Sequence, residues 1–164
     1  MTIGSKPVVR RSPSRVELLR YWLPVAGWML CISMFSGDPF SAANTHHYID
    51  PILNFFFPEL SPAGFALAHT IVRKLAHFTE FFILGWLSYG ALRRNRRPAW
   101  QLGLALRAAL LAAAFSLVDE LHQAFVPSRT PSILDSAIDA SGAATAQLVR
   151  YLRDRLSATW KRSA

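Results

Sequence analysis

Five carboxylates and two imidazoles stand out in stretches of this chain that are largely apolar: Glu80, Asp119, Glu120, Asp135 and Asp139, with His77 and His122. Carboxylates and imidazoles are the usual side chains for passing protons and holding cations near neutral pH. A charge taken out of water must find a partner or a watery cavity, because leaving it unsatisfied is costly. On a helix, Arg73, His77 and Glu80 fall within about 60° of one another, and Ser116, Asp119, Glu120 and Gln123 within about 100°. Asp135 and Asp139 are one turn apart, with the small residues Gly142 and Ala146 on nearly the same stripe. His122 falls off its arc. The pattern nominates His77, Glu80, Asp119 and Glu120 as acid–base candidates. Arg73, Lys74, Gln123, Arg129, Asp135 and Asp139 become the candidates for holding a substrate.

The crowd of acids suits a proton-transfer or cation site. A purely structural reading competes with it: Arg73 or Lys74 would pair with Asp119, and Arg129 with Asp135, to fasten helices together. His77, Glu80, Asp119 and Asp135 could in principle ligate a metal. However, the chain has no H-E-x-x-H spacing, no nucleophile motif and no glycine-rich phosphate loop, so neither a metal nor a cofactor is expected.

The elements that position these groups follow from hydropathy. Hydrophobic residues make up 52% of the 164 and charged residues 17%, against roughly a quarter charged in a soluble domain. Four runs, at about 18–36, 65–92, 100–126 and 132–152, approach the roughly 20 residues that cross a bilayer. The fold predicted is all-α: a polytopic membrane protein with a bundle of four transmembrane helices. Basic tails at 1–17 and 153–164 flank a single membrane domain over 18–152. Residues 37–64 carry Pro39, Pro51, Pro58 and Pro62, too many breaks for one long helix, and read as a connection with Phe55–Phe57 at the interface. The first run exceeds the roughly 7–15 residues of a signal-peptide core. Cys31 is the only cysteine, which excludes an intramolecular disulfide, and it reads as a buried, inert thiol.

The formal charge of +8 arises from 18 lysines and arginines, placed unevenly. Five precede the first run or lie in its first turn, five lie between the second and third or in the third's first turns, and five end or follow the fourth. Only Arg73, Lys74 and Arg129 remain for the opposite side. The positive-inside rule therefore places both termini in the cytoplasm. Arginines that flank apolar runs, with no helix-turn-helix or zinc-finger pattern, argue against nucleic acid as a partner. Counted at about 1.5 Å per residue, Glu80 and Glu120 lie about 10 Å below the outer interface, Asp135 about 7 Å and Asp139 about 13 Å. Three helices thus bring polar groups to one layer in the outward half.

Two segments resemble those of the VanZ-like family. Lys74-Leu75-Ala76-His77-Phe78 resembles its K-x-x-H-F segment, and the stretch from Asp119 to Arg129 resembles its D-E-x-x-Q-x-F-x-P-x-R segment. Asp135 followed by Gly142 is similar to the family's next helix. The resemblance spans about Thr70 to Gln147. Ser128 stands where glycine is common, and Asp139 where asparagine is common. The resemblance implies a small protein of the bacterial cytoplasmic membrane, in a family associated with low-level teicoplanin resistance. The function expected is binding or acting on a lipid-linked cell-wall intermediate or a lipoglycopeptide, with membrane lipids as partners. A small proton-coupled transporter and a non-catalytic membrane scaffold are the alternatives.

Overall fold

The computed structural model describes residues 14–37, 42–94, 100–127 and 131–163. Among the described residues there are five helices and no strand: α1 (Arg15–Phe35), α2 (Ala42–Phe56), α3 (Pro62–Arg93), α4 (Leu102–Gln123) and α5 (Ile133–Ser163). All the regular structure described is helical. Most of the N-terminal basic tail and Arg129 lie outside the described residues.

Helix starts follow their local chemistry. Ser14 caps α1 in a reciprocal box: its hydroxyl accepts from the Glu17 N–H, and the Glu17 carboxylate accepts from the Ser14 N–H. Ser61 caps α3 just before Pro62, which lacks the N–H that would otherwise go unsatisfied. α4 has no side-chain cap of its own; the phenol oxygen of Tyr89 on α3 accepts the Gln101 N–H instead, at 3.0 Å.

Three sequence expectations change. The 37–64 segment contains a helix, α2, with Pro51 inside it, because one proline removes a single intrahelical bond without ending an otherwise supported helix. α5 continues to Ser163, so most of the stretch read as a basic tail is helical. α1 begins at Arg15, inside the stretch expected as a tail, and carries Pro24 in its interior. Two helices, α1 and α4, are long and apolar enough to cross a membrane by length and composition alone.

α1 and α4 run one way, and α3 and α5 run the other. α5 packs along α3 over the longest interface, α4 lies against both, α1 leans on α3 and touches α4, and α2 packs on α3. The α3–α5 contact is backbone to backbone. A Cβ at Gly142 would lie 2.3 Å from the Phe78 carbonyl oxygen, and one at Gly85 would lie 2.9 Å from the Ala143 Cα. Ala143 and Ala146 continue this narrow seam and are fully buried, a small-residue interface of the kind that lets membrane helices approach closely. Gln147 extends it by donating to the Gly85 carbonyl oxygen at 3.0 Å.

α4 shows how polarity is distributed. Ala105, Ala108, Ala112, Ser116, Asp119 and Gln123 face inward, whereas Leu106, Leu110, Leu117 and Leu121 are exposed. Large apolar side chains outside and polar ones inside suit an apolar surround.

Gly142→Ala is expected to destabilise the bundle by about 1–3 kcal/mol or more, since the new methyl meets backbone that cannot rotate away. Gly27 and Gly103 have nothing within 4 Å of an added Cβ, so Gly27→Ala and Gly103→Ala should be neutral or slightly stabilising. Thermal unfolding in detergent micelles reads the difference.

Candidate functional site

Most of the candidate side chains meet at one end of the bundle, where α1 and α4 finish and α5 begins. α3 contributes one stripe. Asp135 stands in the first turn of α5, where the helix dipole favours a negative charge. One of its carboxylate oxygens accepts from Lys74 Nζ at 3.0 Å and the other from an Arg73 guanidinium N–H at 3.1 Å. One turn deeper, His77 Nδ1 lies 3.2 Å from one oxygen of the fully buried Asp139, and the Ser116 hydroxyl donates to the other at 2.7 Å.

The α4 acids take different partners. The Ser36 hydroxyl, just past the end of α1, donates to Asp119 Oδ2 at 2.7 Å, and the Gln123 amide donates to the same oxygen at 2.9 Å. The Ser132 backbone N–H donates to Glu120 Oε2, tying the start of α5 to α4. The indole of Trp28 donates to the Glu80 carbonyl oxygen at 2.8 Å and holds α1 against α3.

These contacts sort the candidates. Arg73 and Lys74 pair with Asp135, not with Asp119, because α5 faces this stretch of α3 directly while Asp119 is turned towards α1. Asp135 and Asp139 have both oxygens engaged. Asp119 Oδ1 and Glu120 Oε1 are buried and, among the described residues, have no hydrogen-bond partner. The postulated Arg129–Asp135 pair lies outside the described residues. His122 is exposed, as its off-arc position suggested.

A cavity of about 1140 Å³ opens beside this cluster. His77, Glu80, Asp135, Arg73 and Lys74 line it, together with Ser36 and Ser132. Much of the remaining wall is apolar, including Phe35, Ile49, Leu60, Phe65 and Val72. Asp119, Glu120 and Asp139 are not among the lining residues; they stand behind the wall in hydrogen-bonded contact with it. Sequence reasoning missed Ser36 altogether. The only signal was a hydroxyl at the end of an apolar run, and nothing in the periodicity of α1 points to it.

A model of the VanZ/LLP1 family matches residues 21–153. The chain belongs to that family. The VanZ/LLP1 match takes in every residue of the cluster, from Ser36 to Asp139. No curated protein and no solved structure matches the chain.

Removing charge separates the two kinds of acid in this VanZ/LLP1 chain. In Asp119→Asn, the amide oxygen still accepts from Ser36 and Gln123, so the midpoint of thermal unfolding should move by less than about 1 kcal/mol equivalent. Asp135→Asn leaves two cations with no counter-charge. Arg73 and Lys74 are 30% and 35% exposed, so its cost should fall between the ~1 kcal/mol of a surface pair and the ~3–5 kcal/mol of a buried one. Thermal melts of both variants, run beside wild type, check the ordering.

Proposed function

We propose that this chain is a four-span VanZ-type protein of the bacterial cytoplasmic membrane. In this reading α1, α3, α4 and α5 cross the bilayer, both termini are cytoplasmic, and the cavity opens at the outward end. The charge distribution supports the orientation. Arg20, Arg93, Arg94 and Arg150 gather round a smaller cavity of about 490 Å³ at the end opposite Asp135, where the rule for cytoplasmic basic residues wants them. α3 and α5 can cross despite their charges because those charges face each other and not lipid. α2 suits the outer interface. Its Ile49 and Asp50 face the cavity, while Tyr48, Ile52, Phe55 and Phe56 are exposed for contact with lipid.

The cavity binds or acts on an anionic, lipid-linked component of the cell envelope. The observation that carries this is the sharing of one carboxylate, Asp135, by two cations, Arg73 and Lys74, in the wall of a largely apolar cavity. The Arg73–Lys74 pair carries one positive charge more than Asp135 offsets, placed to meet a phosphate or carboxylate headgroup, and the apolar wall takes a hydrocarbon chain. Glu80 and His77 are placed at the wall for acid–base chemistry. A lipid-linked cell-wall intermediate fits this description, as does a membrane-anchored lipoglycopeptide of the teicoplanin class. A second reading, proton-coupled transport, draws support from the buried His77–Asp139–Ser116 and Ser36–Asp119–Gln123 chains. Flux driven by a pH gradient in vesicles distinguishes it from binding alone.

Two measurements test the proposal. Micelle-purified protein should bind a polyprenyl phosphate at least about tenfold more tightly than the uncharged polyprenol, and Lys74→Met should remove most of that preference. Arg73 still pairs with Asp135 in this variant, so the fold is spared. Equal affinity for phosphate and alcohol would exclude an anion-selective cavity. For topology, a reporter fused after Arg162 should read as cytoplasmic and one inserted near Asn44 as external; the reverse result would overturn the orientation.

A further inference from the structure

His46, Asp50 and His69 form a cluster at the rim of the cavity that the acid–base site does not use. His46 and Asp50 are one turn apart on α2, on the face turned to the cavity, and His69 reaches them from the second turn of α3. His46 Nδ1 lies 3.6 Å from one oxygen of Asp50, and His69 Nε2 contacts the other. The two imidazoles meet edge to face with ring centres 4.6 Å apart. One nitrogen from each histidine and one oxygen from Asp50 all lie within 4.8 Å of one another.

We infer that His46, Asp50 and His69 bind a zinc-class divalent ion, with a fourth coordination position open towards the cavity. Two imidazole nitrogens and one carboxylate oxygen are a borderline donor set suited to Zn²⁺, in contrast to the all-oxygen sets of Mg²⁺ and Ca²⁺. Tetrahedral zinc with bonds of about 2.0–2.2 Å needs ligand atoms about 3.4 Å apart. The His46–Asp50 separation already matches. The remaining adjustment is side-chain rotation at the more exposed members, since His46 and Asp50 are 51% and 38% exposed while His69 is 11% exposed. Bridging two helices, the ion fastens α2 to α3. Three protein ligands leave one position for water or for an anionic oxygen of whatever enters the cavity. His69, Arg73, His77 and Glu80 follow one another at one-turn intervals on α3, so the ion stands a turn beyond the Arg73–Lys74 pair. The site stands on its own geometry, whatever the cavity binds.

The test uses the full chain in detergent micelles, stripped with a chelator, loaded with zinc and freed of excess ion. Wild type should retain about one zinc per chain by elemental analysis, and zinc but not magnesium should raise its melting temperature. Cobalt(II) substitution should give the intense visible bands of a tetrahedral site. The double variant His46→Ala/His69→Ala, and Asp50→Ala separately, should retain less than about a tenth of the zinc and lose the thermal shift. His47→Ala, whose imidazole neighbours the site in sequence without belonging to it, should behave as wild type. Monodispersity and helical circular dichroism establish that each variant is folded. A folded wild type that retains no zinc overturns the proposal and leaves the cluster a hydrogen-bonded clip between helices. Zinc retained by the folded double variant also overturns it, because the ion then sits elsewhere.

Discussion

The direct backbone contact between α3 and α5 governs the rest of this molecule. Gly142 against the Phe78 carbonyl and Gly85 against Ala143 bring two parallel helices together with no side chain between them. The spacing sets a register, and the register chooses the partners. Towards one end, Asp139 meets His77 and Asp135 meets the Arg73–Lys74 pair. Towards the other, the Arg150 guanidinium lies 3.9 Å from the centre of the Trp86 indole and donates to the Trp86 carbonyl at 2.7 Å, and Arg93 pairs with Asp154. A wider seam would leave the short Asp139 and His77 side chains out of reach of each other, and a buried charge that misses its partner is costly.

The same seam explains why so much polarity is tolerated inside. Ser88 and Asp139 are as fully buried as Phe81 and Leu84, and Ser36, His77, Asp119 and Gln147 are nearly so, while leucines line the outside of α1 and α4. Where the surroundings are hydrocarbon, burying apolar side chains gains little. Packing and internal hydrogen bonds then hold the helices together. The polar layer is therefore structural glue and candidate chemistry at once. The two uses divide between helices: α5 offers acids whose oxygens are fully engaged, and α4 offers acids that each keep one oxygen without a partner among the described residues.

Much of this arrangement is legible in the sequence, though unevenly. Counting residues inward from the arginine-rich flanks correctly brings Glu80, Glu120, Asp135 and Asp139 to one end, because helix rise is constant. The stripe of Arg73, His77 and Glu80 follows from helical phase in the same way. What counting cannot supply is the rotation of one helix about its axis relative to the next. Helical phase alone therefore leaves Asp119 as open to Arg73 and Lys74 as Asp135, their partner in the fold, and gives no sign of Ser36. α2 escaped for a different reason. Prolines were read as breaks, whereas His46 and Asp50, spaced by one turn, carry the helical signal. α5 runs on through Leu152, Leu156 and Trp160, whose helical spacing is masked by the surrounding arginines.

The polarity of α3 and α5 also bears on how the chain is made. α1 and α4 are apolar enough to settle in a bilayer as each emerges from the ribosome, but α3 carries Arg73, Lys74 and His77, and their counter-charges lie on α5, some 60 residues later in the chain. Until α5 has been synthesised, the Arg73–His77 stretch of α3 lacks these partners. In a membrane, translation would therefore leave α3 waiting at the insertion machinery or near the headgroups, and the last helix would complete the first polar one. A chain interrupted before Ile133 would lack the acid of every ion pair that joins α3 to α5.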